Sequence, residues 1–205
     1  MQFVERTREN FQMLNFLDEY MGGHKGFICG GCFKNIFNRE KLKDVDMFFE
    51  TPEDFSAAVD YFDGNEECFY FYYENANVRA YKHRGTGTTI ELCCKIFGTA
   101  EEIISQFDFT IAKFSYFKKM VADDEGEHIE YGVLMHPDFF EHLHLRRLVI
   151  DDQIPYPMST LERMFRYAKY GYMPCRETKI KIANAINDLQ KEQITVSNNL
   201  YDGID

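Results

Sequence analysis

Residues 28–49, ICGGCFKNIFNREKLKDVDMFF, hold the pattern that decides the fold. An apolar run ends at Gly30 and Gly31, a basic spacer follows, and a second apolar run carries Asp44 and Asp46. Successive side chains of a strand point to opposite faces, so the two aspartates share a face about 7 Å apart. Unpaired carboxylates are costly in a buried strand. The pattern therefore predicts positive charge next to this strand.

The residues before the aspartates point to phosphate as a ligand. Gly30 and Gly31 remove side chains where a backbone can approach phosphate oxygens closely. The spacer is basic at four positions: Lys34, Arg39, Lys41 and Lys43. Carboxylates at i and i+2 can hold one or two divalent cations. Phosphate chemistry assisted by magnesium is the function that these residue types predict.

Composition limits the classes of protein. The chain has 205 residues, of which 45% are hydrophobic, so it can bury a core in one domain with a helical appendage. The net charge of −11 argues against a general nucleic-acid binder. The N-terminus is charged and no run of about 18 uncharged apolar residues occurs, so we expect a cytoplasmic protein with no membrane role. The six cysteines are irregularly spaced, which favours reduced thiols.

Positive charge concentrates near the C-terminal end. Residues 145–182 contain eight basic and four acidic side chains, a local balance of +4. This segment is either a surface that faces an anion or a set of solvated helix faces.

Local patterns predict alternating elements. Helical spacing is found over 11–21, and strands are expected at 27–29 and 45–49, joined by a loop. A helix capped by Thr51 covers 55–61. Three β-rich runs form a hairpin region, a capped helix begins at Thr99, and a strand is expected at 107–111. From residue 137 helices dominate, one of them starting at Ser159. The predicted class is α/β (α+β), with a mixed sheet core over 1–136 and a helical segment over 137–205.

Three segments resemble one known family. Gly30-Gly31, a twelve-residue spacer and Asp44-Val45-Asp46-Met47 resemble the signature of the DNA polymerase β-like nucleotidyltransferase superfamily. Residues 107–111, FDFTI, are similar to a segment of the CCA-adding enzymes, which belong to that superfamily together with the poly(A) polymerases. Residues 159–172 look like the helix that closes the nucleotide site in that branch.

The resemblance implies a nucleotidyltransferase that moves a nucleoside monophosphate from an NTP to a hydroxyl. Asp44, Asp46 and Asp108 would then be catalytic carboxylates and ligands of Mg²⁺ or Mn²⁺. The nucleotide would contact five further residues: Gly30, Gly31, Lys34, Arg163 and Lys169. The CCA-type arginine before the aspartate is Phe107 here, so the acceptor stays open between RNA, protein and a small molecule.

Several alternatives remain at this point. The third carboxylate is Asp108, which the resemblance favours, or Glu91, a charge in the middle of a predicted strand. The chain is an active transferase or a catalytically silent binding protein of the same fold. A third reading makes the aromatic run at 69–73 a contact surface of an interaction protein. The nucleotide and the oligomeric state stay undetermined.

Overall fold

One mixed sheet forms the centre of the protein in the computed structural model, which describes residues 2–123, 126–151 and 154–189. With strands numbered along the chain, its order is β1 (Val4–Thr7), β8 (Gly126–Met135), β7 (Phe114–Asp123), β2 (Phe27–Cys29), β3 (Asp44–Phe48), β6 (Thr89–Cys93), β5 (Val78–His83) and β4 (Phe69–Glu74). Strands β3 and β6 run parallel, whereas the other neighbours are antiparallel. The predicted α/β class with a mixed sheet is confirmed.

Helices surround this sheet and continue beyond it. They are α1 (Cys32–Phe37), α2 (Pro52–Gly64), α3 (Ala100–Ser105), α4 (Phe139–His144), α5 (Pro157–Lys169) and α6 (Arg176–Asn187). Three 3₁₀ segments lie at Arg8–Asn10, Gln12–Tyr20 and Thr110–Ala112. A short parallel pair, β9 (Arg147–Leu148) and β10 (Met173–Pro174), ties the C-terminal helices together.

Two predicted helix starts are confirmed in detail. The Thr51 side chain accepts a hydrogen bond from the Asp54 N–H, and Pro52 is the first residue of α2. At α3 the Thr99 side chain caps the Glu102 N–H, and the Glu102 carboxylate accepts from the Thr99 N–H in return. Both helices therefore begin where local side-chain chemistry satisfies the first free N–H groups.

The first predicted helix is present but has 3₁₀ geometry. Its buried residues, Leu14, Leu17 and Tyr20, are spaced by three. This spacing matches the three residues per turn of a 3₁₀ helix better than the 3.6 of an α-helix.

Three other predictions are wrong. The spacer after Gly31 is not all loop, since it contains α1. Residues 107–111 do not form a strand, because the Thr110 N–H donates to the Val149 carbonyl at 3.0 Å and the chain turns into a 3₁₀ segment. Ser159 is not a helix cap, because α5 already begins at Pro157.

The sequence patterns predict no strands between residues 111 and 137, yet the structure has two there. Strands β7 and β8 form a ten-residue hairpin there, in register from Phe114 opposite Met135 to Asp123 opposite Gly126. The hairpin is charged and exposed toward its turn, so it lacks the apolar alternation of a half-buried strand.

The sheet has two differently used faces. The first face packs against the 3₁₀ segment Gln12–Tyr20 and α2. The apolar cluster on this face extends into the C-terminal part of the chain, where it includes Leu148, Tyr172 and Ile182. The other face carries a smaller cluster that includes Cys29, Phe48 and Cys93 with α3. Asp44 and Asp46 alternate with Val45 and Met47, so both carboxylates lie on this second face.

Candidate active site

Strand register brings Asp46 and Glu91 together. The two residues are paired across the parallel strands β3 and β6, so their side chains leave the same face of the sheet. Both are buried, with 3% of Asp46 and 9% of Glu91 exposed. Asp44 lies two residues earlier on the same strand and is partly exposed. Three carboxylates therefore project from the second face of the sheet.

Asp46 is the carboxylate whose burial is least compensated. Its Oδ1 is buried and has no hydrogen-bond partner among the described residues. Burial raises the pKa of Asp46 well above its usual range, and the charges of Glu91 and Asp44 raise it further. A carboxylate in these surroundings binds either a proton or a cation.

Glu91 has a defined hydrogen-bond partner. The Tyr73 hydroxyl donates to Glu91 Oε1 at 2.6 Å. Burial raises the pKa of Glu91, the Tyr73 bond opposes that shift, and the Asp44 charge adds to it. The side chain is thus held in one orientation next to Asp46.

Basic side chains act on the pKa of Asp44, whereas the charges that shift the pKa of Asp46 are those of Glu91 and Asp44. Burial raises the pKa of Asp44, while Lys43, Lys34 and Arg166 lower it. Lys34 is itself buried, pairs with Glu40 at 3.4 Å and lies 5.2 Å from the Tyr170 ring centroid. It does not line the cavity beside Asp46.

The two predicted glycines are not equivalent. Gly30 has φ +97°, and a Cβ there would stand 3.6 Å from Asp46 Oδ2. Its positive φ is the reason for glycine, since an L side chain rarely adopts it. Gly31 has φ −70°, which suits any residue, and it precedes α1. Both glycines line the cavity.

A cavity opens beside Asp46 and extends under α5. Its walls also include aromatic side chains, two cationic ones and a buried carboxylate, namely Phe107, Phe109, Tyr156, Tyr167, Lys95, Arg163 and Asp108. The sequence prediction named Arg163 and Asp108 but missed Lys95 and the four aromatic residues. Aromatic walls with a few charged groups are typical of sites for flat ligands.

Asp108 is placed differently from the other carboxylates. It forms an ion pair with Arg163 and accepts a hydrogen bond from the Thr160 hydroxyl at 2.8 Å. With 2% of its side chain exposed, Asp108 fixes α5 against the cavity wall. Its charge is already balanced by Arg163.

Lys169 lies outside the cavity. It is exposed at the last residue of α5. Six residues turn an α-helix by about 600°, so Lys169 is directed about 120° away from Arg163. Arg163 and Tyr167, four residues apart, share the face that lines the cavity.

The carboxylates fit a divalent cation that completes its shell with substrate. Within the described ranges, no three His, Cys, Asp or Glu side chains form a complete metal site. Magnesium commonly uses one or two carboxylates together with substrate phosphates. Asp46, with its unpartnered Oδ1, and Asp44 supply such a pair, and Glu91 lies next to them.

Comparison with known proteins gives a family and a fold. A family model described as "Gabija anti-defense 2 family protein" matches residues 7–146. A curated relative from Bacillus phage SPbetaL7, "Gabija anti-defense 2", is 25% identical over 181 residues, which cover 84% of this chain. The chain spans 40% of that relative's length.

Solved structures with this fold include CCA-adding enzymes. One bound to ATP has a TM-score of 0.61 at 13% identity, covering 91% of this chain and 47% of that one. One bound to CTP has a TM-score of 0.60 at 14% identity, covering 91% and 46%. A Thermotoga maritima CCA-adding enzyme with tRNA has a TM-score of 0.56 at 14% identity, again covering 91% and 46%. The fold is therefore that of nucleotidyltransferases.

In the part of the chain that the structure describes, no helix has the length and apolar character of a membrane span.

Proposed function

This chain belongs to the Gabija anti-defense 2 family, and from its fold and carboxylate cluster we propose that it is a metal-dependent nucleotidyltransferase that moves a nucleoside monophosphate from an NTP to a hydroxyl. The observation that carries the proposal is Asp46: a buried carboxylate beside Glu91 and Asp44, with an unpartnered Oδ1 at the edge of an aromatic cavity. In this proposal the protein works in the cytoplasm, and transfer serves the anti-defence role for which its phage relative is named.

Asp44 and Asp46 would hold Mg²⁺ or Mn²⁺, with Glu91 or Asp108 as the third carboxylate. The structure favours Glu91, because Asp108 already pairs with Arg163. A bound divalent cation stabilises negative charge on the attacking and leaving oxygens.

The cavity would bind the nucleotide. Tyr156, Tyr167 and the phenylalanines offer faces on which a base can stack, an interaction worth about 1–3 kcal/mol per base. Lys95 and Arg163 supply positive charge within the same walls. Gly30 brings backbone close to Asp46, where a side chain would crowd a phosphate. Lys34 and Arg166 would act from the Asp44 side, and Lys169, which is exposed on another face of α5, would not contact the nucleotide directly.

The first test is transfer by the purified protein. Each of the four NTPs, labelled at the α-phosphate, is incubated with magnesium and with cell RNA or lysate, and both labelled product and pyrophosphate are measured. Asp46→Asn should abolish both. Its melting temperature should be equal or higher without metal, because the substitution removes a buried charge that Glu91 and Asp44 repel.

A matched variant separates this effect from general damage. Asp60→Asn changes an exposed carboxylate on α2 and should leave transfer and melting unchanged. If Asp46→Asn transfers nucleotide at a rate within about tenfold of the unmodified protein, the metal assignment is contradicted. A tenfold change in rate corresponds to about 1.4 kcal/mol in activation free energy. NTP binding that depends on magnesium without any turnover would instead identify a silent binding protein of this fold.

A further inference from the structure

Tyr73 approaches the carboxylate cluster from the edge of the sheet. Four consecutive strands place Tyr73, Ala80, Glu91 and Asp46 in one line, each paired with the next. Because directly paired residues project from the same face, all four side chains lie on the face of the candidate site. Ala80 ends at its Cβ and leaves room above β5. The Tyr73 phenol crosses that gap and reaches Glu91 Oε1 at 2.6 Å.

A β-bulge is what puts Tyr73 on this face. Phe71 pairs with Tyr81, and the next paired position on β4 is Tyr73 opposite Ala80, so Tyr72 is the extra residue. In a regular ladder Tyr72 would lie opposite Ala80, and Tyr73 would project from the other face. Bulges often redirect a side chain beside an active site. The edge strand thus departs from regular pairing at the one step that brings a hydroxyl to Glu91.

The phenol and the nucleotide cavity lie on opposite sides of the carboxylates. Gly30 follows β2 and lines the cavity, as does Asp46 on β3. Glu91 on β6 comes next in the sheet, and Tyr73 reaches it from β4. Tyr73 does not line the cavity. An acceptor hydroxyl in nucleotidyl transfer requires this arrangement, with a carboxylate in hydrogen-bond reach and the NTP beyond it.

We infer that Tyr73 is an acceptor of the transferred nucleotide, so that the protein modifies itself on this hydroxyl. The inference rests on the proposed function and names the substrate class for the same site: a protein tyrosine. A bond forms between Tyr73 Oη and the α-phosphorus of the NTP, and the bond from that phosphorus to the bridging oxygen breaks. Pyrophosphate leaves, and the phenol proton passes to Glu91. Because the acceptor is held within the chain, no second substrate has to be bound.

The experiment uses the purified chain with no added acceptor. Each of the four NTPs, labelled at the α-phosphate, is supplied with magnesium, and protein-bound label and intact mass are measured. We expect one nucleoside monophosphate per chain, which tandem mass spectrometry assigns to Tyr73. Tyr73→Phe keeps the ring and should lose the label to background. Tyr72→Phe removes the hydroxyl of the neighbouring tyrosine, a half-exposed residue, and should be labelled like the unmodified protein.

The outcomes distinguish this inference from the proposed function. Magnesium-dependent NTP binding is measured in parallel for the unmodified protein, Tyr73→Phe and Asp46→Asn. Transfer to an external acceptor with no label on Tyr73 overturns self-modification and leaves the transferase intact. Label that persists in Tyr73→Phe also overturns it. Absence of both NTP binding and transfer overturns the two proposals together.

Discussion

Asp108 and Glu91 show how the surroundings of a carboxylate decide its use. Both are buried acids near the cavity, and the resemblance to CCA-adding enzymes favoured Asp108 as the third catalytic group. In the structure Asp108 carries an ion pair with Arg163 and a Thr160 hydrogen bond. Glu91 faces Asp46 and accepts a hydrogen bond from the Tyr73 phenol. Breaking an ion pair and removing a candidate ligand should therefore have different consequences.

Asp108→Asn should mainly cost stability, and Glu91→Gln should mainly cost transfer. The first change takes the buried countercharge from Arg163, which typically lowers the free energy of unfolding by roughly 3–5 kcal/mol. The second removes one of the repelling charges near Asp46, so its fold should be kept. Denaturant unfolding and transfer assays on both variants check this. Loss of transfer in Asp108→Asn with unchanged stability would restore Asp108 as the third carboxylate.

The sequence allowed prediction of residues whose partners are local, and failed for those whose partners are distant. Asp44 and Asp46 follow from strand alternation, and the caps of α2 and α3 involve residues three apart. The pairing of Asp108 with Arg163 joins positions 55 residues apart, which only tertiary packing brings together. The bulge at Tyr72 likewise depends on the register of β4 against β5.

At the scale of elements, helix α5 shows how helix geometry separates two side chains that the sequence prediction treats alike. Arg163 and Lys169 were both expected at the phosphates because both are basic. Six residues place them on different faces of one helix, whereas Tyr167 shares the face of Arg163. Strand β7 was missed for another reason: it carries lysines at both Lys118 and Lys119, where apolar–polar alternation would require one apolar residue.

Substitutions of Arg163 and Lys169 should therefore have different effects on NTP binding. Arg163→Gln should weaken binding by roughly tenfold to a hundredfold, since a charge-assisted bond contributes about 1.5–3 kcal/mol. Lys169→Gln serves as the matched control and should bind NTP like the unmodified protein. Titration calorimetry at low and high salt measures both, at a temperature where melting shows each variant folded. Equal losses would indicate that α5 acts through its overall charge.

At the scale of the whole molecule, a buried ion pair joins the sheet to the C-terminal helices. Lys113, which precedes β7 and is 1% exposed, contacts Asp151 Oδ1 at 2.9 Å. His136, which follows β8, contacts Asp151 Oδ2 at 2.8 Å. From α6, Lys181 donates to the Ile150 carbonyl at 2.8 Å. The apolar cluster on the first face of the sheet also contains Phe114 of β7 and Ile182 of α6. We therefore expect the predicted segments 1–136 and 137–205 to unfold together over their described residues.

Asp151→Asn tests whether this ion pair holds the two segments together, because the substitution leaves the Lys113 charge buried without the Asp151 carboxylate. We expect a loss of about 3–5 kcal/mol in the free energy of unfolding, still in one transition. Hydrogen exchange should show β7 and α6 losing protection together, and Glu141→Gln, an exposed change on α4, should alter neither. Loss of hydrogen-exchange protection in α6 alone would show that the two segments unfold separately.

The stability of the protein at acidic pH provides a second test of the contacts of Asp151. Burial would raise the pKa of Asp151, but the bonds from His136 and Lys113 outweigh it and the pKa is lowered. A carboxyl with a depressed folded pKa stabilises the protein above its unfolded value, 3.8, and loses that contribution as the pH falls through the folded pKa. The Asp151 charge should therefore contribute a nearly constant part of the difference in unfolding free energy between the unmodified protein and Asp151→Asn from pH 7 to about 4. Below about pH 4 this difference should shrink. A difference that already vanishes at pH 6 would show that the charged Asp151 carboxylate does not stabilise the folded protein.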